Sequence, residues 1–175
     1  MTSFAPMQLR LVTERLVLTP QVPGDAGWLA ELFTLRGRGV VTPEQARDRV
    51  AAVHRTFAEH GIGAAVLRRA GREDALGYVA IVVGRGTPAE PELAYELLPA
   101  AHGHGYATEA SRALLASAFA TGRDVVQATI RPWNHASLRV AQTLGLRLDR
   151  TTVDADGEIQ WWRAESRTWA TVIPD

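Results

Sequence analysis

The sequence has no cysteine and no lysine, since every one of its 19 basic side chains is an arginine. The lack of cysteine excludes disulfides, thiolate nucleophiles and cysteine-ligated metals. The lack of lysine excludes a P-loop lysine and a Schiff-base lysine. Because 19 acidic side chains balance the arginines, no net charge attracts nucleic acid or an anionic membrane. Long apolar runs and a signal-peptide pattern are also missing. We therefore expect a cytoplasmic protein with no nucleic-acid or membrane partner.

What is present is the composition of one globular unit. Of the 175 residues, 46% are hydrophobic and 22% are charged, which is ordinary for a protein with a packed core. No linker, repeat or low-complexity segment divides the chain. The sequence therefore predicts a single domain over residues 1–175.

Strand and helix patterns alternate in the order β, α, α, β, β, β, α, β, α, β, β. Strands are predicted at residues 14–19, 63–69, 76–83, 92–98 and 125–130 and in a closing hairpin with its turn at 154–157. Helices are predicted from an N-cap at Asp25, over residues 42–60 and 106–120, and from Asn134 to Leu144. The Thr42-Pro43-Glu44-Gln45 start has the features of a capping box with proline at the first helical position. This order predicts an α/β (α+β) fold in which helices flank a mixed sheet.

The most informative segment is the glycine loop, which we define as residues 98–107. It joins a predicted strand to a predicted helix, with Gly103 and Gly105 at the helix start. Helix N-termini expose unpaired N–H groups and the positive end of the macrodipole, and glycine lacks a Cβ that would keep an anion away. The loop therefore fits a pyrophosphate site, although it also fits a simple tight turn. It is not a dinucleotide fingerprint, because the third glycine would fall at Thr108.

Three motifs occur in order along the chain and together resemble the pattern of a known family, and the resemblance extends over residues 11–171. They are Thr13-Glu14-Arg15-Leu16; the run from Glu92-Leu93-Ala94-Tyr95-Glu96-Leu97 to His102-Gly103-His104-Gly105-Tyr106-Ala107-Thr108-Glu109-Ala110; and Asn134-His135-Ala136-Ser137 with Leu144-Gly145-Leu146. Together they resemble the GNAT superfamily of N-acetyltransferases, and most of all the branch that includes the ribosomal-protein N-terminal acetyltransferases. The resemblance implies a mixed, mostly antiparallel central sheet flanked by helices. It also implies acetyl-CoA as co-substrate and no metal.

The resemblance further implies roles for individual residues. The strand at 92–98 would splay from its neighbour, so that N–H groups of Leu97 and Leu98 polarise the thioester carbonyl. Asn134 would bond the pantetheine arm or an ordered water, and Ser137 would donate a proton to the CoA sulfur. Helix capping by Asn134, with Ser137 a bystander, is the alternative. N–H groups of the glycine loop would hold the pyrophosphate, namely those of Gly103, His104, Gly105, Tyr106 and Ala107.

Two carboxylates are candidate general bases. Glu92 and Glu96 lie four residues apart on one predicted strand, so they share a face with Ala94. Either could take the proton of an attacking amine through a water, or both could be solvated strand carboxylates. Glu109 follows in the first turns of the next helix, where a carboxylate favours the helix dipole, and we expect it to be structural.

The sequence departs from the family pattern at several positions. Ala100 replaces the usual Arg or Gln of the phosphate loop, and Ala141 replaces a tyrosine acid that many members carry. His102 and His104 also depart from the pattern, as does Leu146. The paired histidines have no third ligand, so no metal site is expected. These departures keep two alternatives open: a catalytically silent module that binds acyl-CoA or a partner, and an enzyme that uses a longer acyl-CoA.

The acceptor is less well defined by the sequence. Its walls would come from residues 36–61 and from the last hairpin, which carry both signs of charge. A protein N-terminus, an amino acid, a polyamine and an aminoglycoside-like antibiotic all fit, so the expected partner is a small-molecule or peptide amine. Dimers are common in the family, and a homodimer is a further expectation.

Overall fold

A single sheet of eight strands runs through the protein, for which a computed structural model describes residues 4–172. The strand order is β1-β2-β3-β4-β5-β6-β8-β7. All neighbouring strands are antiparallel except β5 and β6, which are parallel. The mixed, mostly antiparallel sheet that the sequence predicts is therefore confirmed. The strands are β1 (Leu11–Val12), β2 (Leu16–Pro20), β3 (Ala64–Arg69), β4 (Ala75–Val82), β5 (Glu92–Leu97), β6 (Val125–Ile130), β7 (Arg147–Asp154) and β8 (Gly157–Glu165).

Within residues 4–172, five α-helices accompany the sheet: α1 (Ala26–Thr34), α2 (Pro43–His60), α3 (Tyr106–Phe119), α4 (His135–Thr143) and α5 (Ser166–Val172). The predicted capping box is confirmed, since the Thr42 hydroxyl accepts from Gln45 N–H and the Gln45 side chain accepts from Thr42 N–H. Asp25 lies at the N-cap position of α1 as predicted, but the prediction that its side chain caps the helix is wrong. Its carboxylate makes no cap bond and instead accepts from Val22 N–H, Trp28 Nε1 and Arg68 Nη2.

The two faces of the sheet bury different clusters. Leu93 and Leu97 of β5 pack with Leu114 of α3 in the larger core, which extends to α4 and α5. A smaller core lies between α1 and α2, where Leu29 and Val50 are almost fully buried. Because side chains alternate along a strand, the face of β5 that carries Ala94 and Glu96 is turned toward α1 and α2.

The parallel strands β5 and β6 are hydrogen-bonded at one end only. Glu92 and Gln127 are the one pair of facing residues, and Gln127 N–H donates to the Pro91 carbonyl at 2.8 Å. Beyond that pair the two strands diverge, whereas β4 and β5 stay paired from Gly77 to Val82. The sheet therefore opens into a wedge, and the carboxyl end of β5 leads directly into the glycine loop.

Candidate active site

The wedge continues into a cleft of about 760 Å³. Its walls come from β5, the glycine loop, the first turn of α3, one side of α4, and Leu32 and Leu35 near the end of α1. The residues of the sequence prediction that line it are Glu96, Leu97, Gly103, Gly105, Tyr106, Ala107, Asn134 and Ser137. The fold thus brings together residues that are separated by up to 41 positions in the sequence.

The glycine loop forms one wall of the cleft. Gly103 and Gly105 both have φ of +78°, a left-handed conformation that favours glycine. The N–H groups of Ala101, His102 and Glu109 are used within the loop and the first helical turn. Within the described chain, those of residues 103–107 make no hydrogen bond, and they lie at the start of the 14-residue α3. This arrangement can bind a pyrophosphate.

His104 differs from its neighbours in the loop. Its side chain does not line the cleft, and its ring lies 5.5 Å from the Tyr106 ring. Its carbonyl oxygen accepts a hydrogen bond from Arg15 Nη1 at 3.0 Å. Any contribution of His104 to an anion site is therefore through its backbone N–H.

The end of β5 offers one backbone donor where the sequence predicts two. Leu98 N–H donates to the Leu76 carbonyl at 2.8 Å, so it is not available for a thioester, and this part of the prediction is wrong. Backbone groups alternate in direction along a strand, so those of Leu97 point into the wedge. The Leu97 carbonyl accepts from the ring Nε2 of His102 at 2.9 Å, which requires the Nε2-protonated tautomer.

Glu92 lies at the vertex of the wedge and does not line the cleft. One of its carboxylate oxygens accepts from Thr129 N–H at 3.2 Å and from the Thr129 hydroxyl. The other accepts from Arg85 N–H at 2.9 Å. Thr129 N–H lies just beyond the last pair between β5 and β6. The Glu92 carboxylate therefore provides the acceptor that the backbone of β5 does not. Because the residue is only 9% exposed, the structure contradicts the prediction of Glu92 as a general base.

Glu96 is the carboxylate that faces the cleft. It is paired with Arg36, whose Nε lies 3.1 Å and 2.9 Å from the two carboxylate oxygens and whose Nη2 contacts the second oxygen. Arg36 Nη2 also donates to the Tyr78 hydroxyl at 3.0 Å. Burial raises the pKa of Tyr78 to about 12, despite the opposing effect of Arg36, so this hydroxyl stays protonated. Glu96 thus accepts hydrogen bonds from one guanidinium, which holds its side chain at the edge of the cleft.

The comparisons with known proteins agree with this geometry. The family model described as acetyltransferase (GNAT) domain matches residues 15–147. The chain belongs to the GNAT acetyltransferase family. No curated protein sequence matches it significantly.

Solved GNAT structures share the fold. A GNAT-family acetyltransferase from Bordetella pertussis has 30% identity and a TM-score of 0.77, over 87% of this chain and 97% of that one. The ribosomal-protein alpha-N-acetyltransferase RimL, in complex with coenzyme A, has 14% identity and a TM-score of 0.77, over 90% and 98% of the two chains. YncA from Salmonella typhimurium, with its cofactor acetyl-CoA, has 17% identity and a TM-score of 0.71, over 86% and 93%.

The third GNAT motif forms the start of α4. Asn134 lines the cleft and also caps the helix, because its Oδ1 accepts from Ser137 N–H at 3.1 Å. The Ser137 hydroxyl has no hydrogen-bond partner among the described residues, so it is free to face a ligand. Ala141, further along the same helix, is buried at 2% exposure.

The first and second GNAT motifs are joined by Glu109. Its carboxylate accepts from the Thr13 hydroxyl at 2.5 Å, from Arg15 N–H at 2.9 Å and from Arg15 Nε at 2.7 Å. Burial alone would raise the pKa of Glu109, but the hydrogen bonds from Thr13 and Arg15 outweigh it and lower the pKa. Glu109 therefore holds the turn before β2 against α3, which agrees with the structural role expected for it.

Three residues of the site were not singled out from the sequence: Arg36, Tyr78 and Tyr95. Arg36 follows α1 in a glycine-rich loop and reaches Glu96 across 60 positions, so no local pattern reveals the pair. Tyr95 lies between Ala94 and Glu96, and its inward direction follows from strand alternation alone.

Two absences apply to residues 4–172. No helix in this range is both long and apolar enough to cross a bilayer. No group of three or more His, Cys, Asp or Glu side chains in the same range could hold a metal ion.

Proposed function

We propose that this GNAT acetyltransferase moves the acetyl group of acetyl-CoA to a primary amine by direct attack of the amine on the thioester. The observation that carries the proposal is the row of unbonded amides at residues 103–107, which lies at the end of a strand splayed from its neighbour. An anion-binding helix start beside an open strand edge matches the two ends of a CoA arm, the pyrophosphate and the pantetheine.

The chain's own residues divide the chemistry between them. Leu97 N–H points into the wedge, where it can stabilise the oxyanion that develops on the thioester carbonyl. Glu96 takes the proton of the attacking amine, directly or through a water. Ser137, at the start of α4, donates a proton to the departing sulfur, and Asn134 beside it bonds the pantetheine arm. Glu92 has no part in this proposal.

Binding of acetyl-CoA to the purified protein, measured by calorimetry, tests the cofactor site. Gly105→Glu should abolish micromolar binding, because a carboxylate would face the pyrophosphate. The change also strains a backbone with φ of +78°, so a matched control is required. Gly71→Glu is that control, since Gly71 has φ of +74° in an open turn and does not line the cleft.

The outcomes separate an enzyme from a binding module. Wild-type binding that Gly71→Glu keeps and Gly105→Glu loses, together with thiol release when amines are added, supports the proposal. Binding without thiol release from any amine would favour the silent module, and faster release from a longer acyl-CoA would favour that donor. No binding at all would overturn the cofactor site.

The acceptor, location and assembly are part of the same proposal. The acceptor is a protein N-terminus or a small-molecule amine, and dependence on acetyl-CoA supports a cytoplasmic location. A homodimer is supported by the edge strand β7, where Leu148 and Val153 are 51% and 77% exposed on one sheet edge. Light scattering of wild type and Val153→Lys tests it, since a dimer through β7 should dissociate in the variant.

A further inference from the structure

A second cavity of about 260 Å³ lies between α1 and α2 on one side and the sheet on the other. Its walls are largely apolar and include Leu29, Val50, Val53, Ala80, Val82 and Ala94. An apolar cavity of about 150 Å³ is known to hold a benzene ring, so this space is large enough for an aliphatic or aromatic side chain. It lies on the face of β5 that carries Glu96.

The second cavity meets the main cleft at the ion pair of Arg36 and Glu96. Arg36 lines the second cavity, and Glu96 lines the cleft. Tyr78, whose hydroxyl accepts from Arg36, also lines the second cavity. A molecule that separates the pair would therefore contact the carboxylate of Glu96 and the guanidinium of Arg36 at the same time.

A second guanidinium lies close by. Arg49 of α2 lines the same cavity, and its Cζ is 4.6 Å from the centre of the Phe33 ring. The Cζ of Arg36 is 4.4 Å from the same ring. Arg49 forms no ion pair with any residue between 4 and 172, so its charge is uncompensated there.

The charges around the two spaces favour an anion. Besides His102, four charged side chains line the main cleft and the second cavity. They are Arg36, Arg49, Arg139 and Glu96. Three guanidinium groups thus face one carboxylate. A polyamine or an aminoglycoside would bring further positive charge to this region, and like charges in a partly desolvated site repel.

We propose that the acceptor is a small amine that carries a carboxylate beside an apolar group, as an apolar α-amino acid does. This inference rests on the proposed acetyl transfer and names its substrate class. The apolar group occupies the second cavity, the carboxylate meets Arg36 and Arg49, and the amine faces Glu96. Guanidinium groups suit this role because their planar donor fork matches a carboxylate.

The reaction on such an acceptor balances without a further reactant. The ammonium first loses a proton to solvent, and the neutral nitrogen then attacks the thioester carbonyl carbon. The N–C bond forms first and gives the oxyanion that Leu97 N–H stabilises, while Glu96 accepts the second amine proton. The C–S bond then breaks as Ser137 gives its hydroxyl proton to the sulfur, and Ser137 recovers a proton from solvent. The products are an N-acetyl amino acid and coenzyme A.

The test compares kcat/KM for L-phenylalanine, L-phenylalaninamide, phenethylamine, glycine and spermidine, with thiol release as the readout. The amide keeps the amine and the ring and removes the negative charge. We expect L-phenylalanine to exceed the amide and phenethylamine by about tenfold or more, since hydrogen bonds between charged partners are worth that much in affinity. Glycine should be poorer than L-phenylalanine because it leaves the second cavity empty, and spermidine should be the poorest.

Arg49→Gln should remove most of the preference for the acid over the amide. Arg47→Gln is the matched control, because Arg47 is also exposed on α2 but lines neither cavity, and it should keep the preference. Equal rates for acid and amide in wild type, an undiminished preference in Arg49→Gln, or a preference for spermidine would overturn the inference.

Failure of acetyl transfer itself would look different, because no amine would release thiol. In that case, calorimetric titration of L-phenylalanine and its amide into the protein saturated with coenzyme A still tests the acceptor site. Tighter binding of the acid that Arg49→Gln abolishes would support the inference, and equal or absent binding of both would overturn it.

Discussion

The phenolic hydroxyl of Tyr95 donates a hydrogen bond to the carbonyl oxygen of Ser137 at 3.2 Å. The bond connects β5 with the first turn of α4 across the floor of the cleft. Burial raises the pKa of Tyr95, although the bond to Ser137 opposes the shift, so the hydroxyl remains a donor at neutral pH. Tyr95 thus connects the splayed strand with the helix whose start carries Asn134 and Ser137.

Tyr95→Phe removes this connection and keeps the ring. We expect acetyl-CoA binding, measured by calorimetry, to weaken by about fivefold, because one neutral hydrogen bond contributes about 1 kcal/mol. Thr56→Ala serves as a control, since the Thr56 hydroxyl bonds only within α2 at the Ala52 carbonyl. An unchanged Kd in Tyr95→Phe would show that α4 keeps its position without the bond.

Glu96→Gln and Glu92→Gln should affect different properties: the first should lower activity, and the second should lower stability. Glu96→Gln removes the proposed general base, so kcat should fall by about 100-fold or more while acetyl-CoA affinity is retained. Glu92→Gln removes the charge that holds Thr129 and Arg85, so it should lower the melting temperature and leave kcat of the folded protein near wild type. Steady-state kinetics and thermal unfolding measure both. A large loss of kcat in a stably folded Glu92→Gln protein would contradict this assignment.

The stability contributed by Glu109 should depend on pH. Because its pKa is lowered in the folded protein, its contribution is complete above the ordinary Glu pKa of about 4.3 and is lost as pH falls further through the lowered value. Glu109→Gln should therefore lower the free energy of unfolding at pH 7 by about 1 kcal/mol, a modest effect because the Arg15 side chain is 46% exposed.

Denaturant unfolding of Glu109→Gln and wild type between pH 7 and pH 3 measures this difference. It should shrink as the pH falls below about 4. Glu31→Gln, an exposed carboxylate on α1, should show no such trend. A difference that grows toward low pH would mean that the sign of the shift is wrong.

Arg123 is a buried cation without a carboxylate partner in the described chain. At 1% exposure, its Nε donates to the Pro88 carbonyl at 2.8 Å, its Nη1 to the Thr121 hydroxyl at 2.7 Å and its Nη2 to the His60 carbonyl at 2.6 Å. It thereby connects the end of α2, the end of α3 and the loop before β5.

Arg123→Met should destabilise the fold by about 3 kcal/mol, because it leaves two partly buried carbonyl oxygens and the buried Thr121 hydroxyl without their donor. For a chain of this size, that corresponds to a decrease of roughly 10 °C in the melting temperature. Calorimetry of Arg55→Met, a change of the same type at an exposed position of α2, provides the comparison. Similar melting temperatures for the two variants would contradict the role of Arg123.

Most of the fold could be predicted because its signals are local. The capping box at Thr42 and the proline and glycine that bound β6 place those elements, and β6 spans residues 125–130 as predicted. The two elements that were missed have weak local patterns. β1 is two residues long, and α5 is fixed by a distant contact in which Trp169 Nε1 donates to the Leu144 carbonyl at 2.8 Å.

The part of the candidate site that is formed by one continuous segment of the chain could be predicted from the sequence. Strand, glycine loop and helix start are contiguous, so Gly103 and Gly105 could be placed from the sequence. The roles of Glu92 and Glu96 could not be separated, because both lie on the same face of one strand. What distinguishes them is long-range: Thr129 lies beside one carboxylate, and Arg36, which is 60 positions away, lies beside the other.

The wedge between β5 and β6 also affects how the protein behaves without its ligand. Two strand edges with unsatisfied backbone groups open inside the sheet, and such edges can pair with the chain of another molecule. A ligand arm in the wedge would cover both edges, as an added strand does. We expect the free protein to aggregate more readily on heating than the acetyl-CoA complex, so that the supply of co-substrate governs how long the enzyme persists as well as how fast it works.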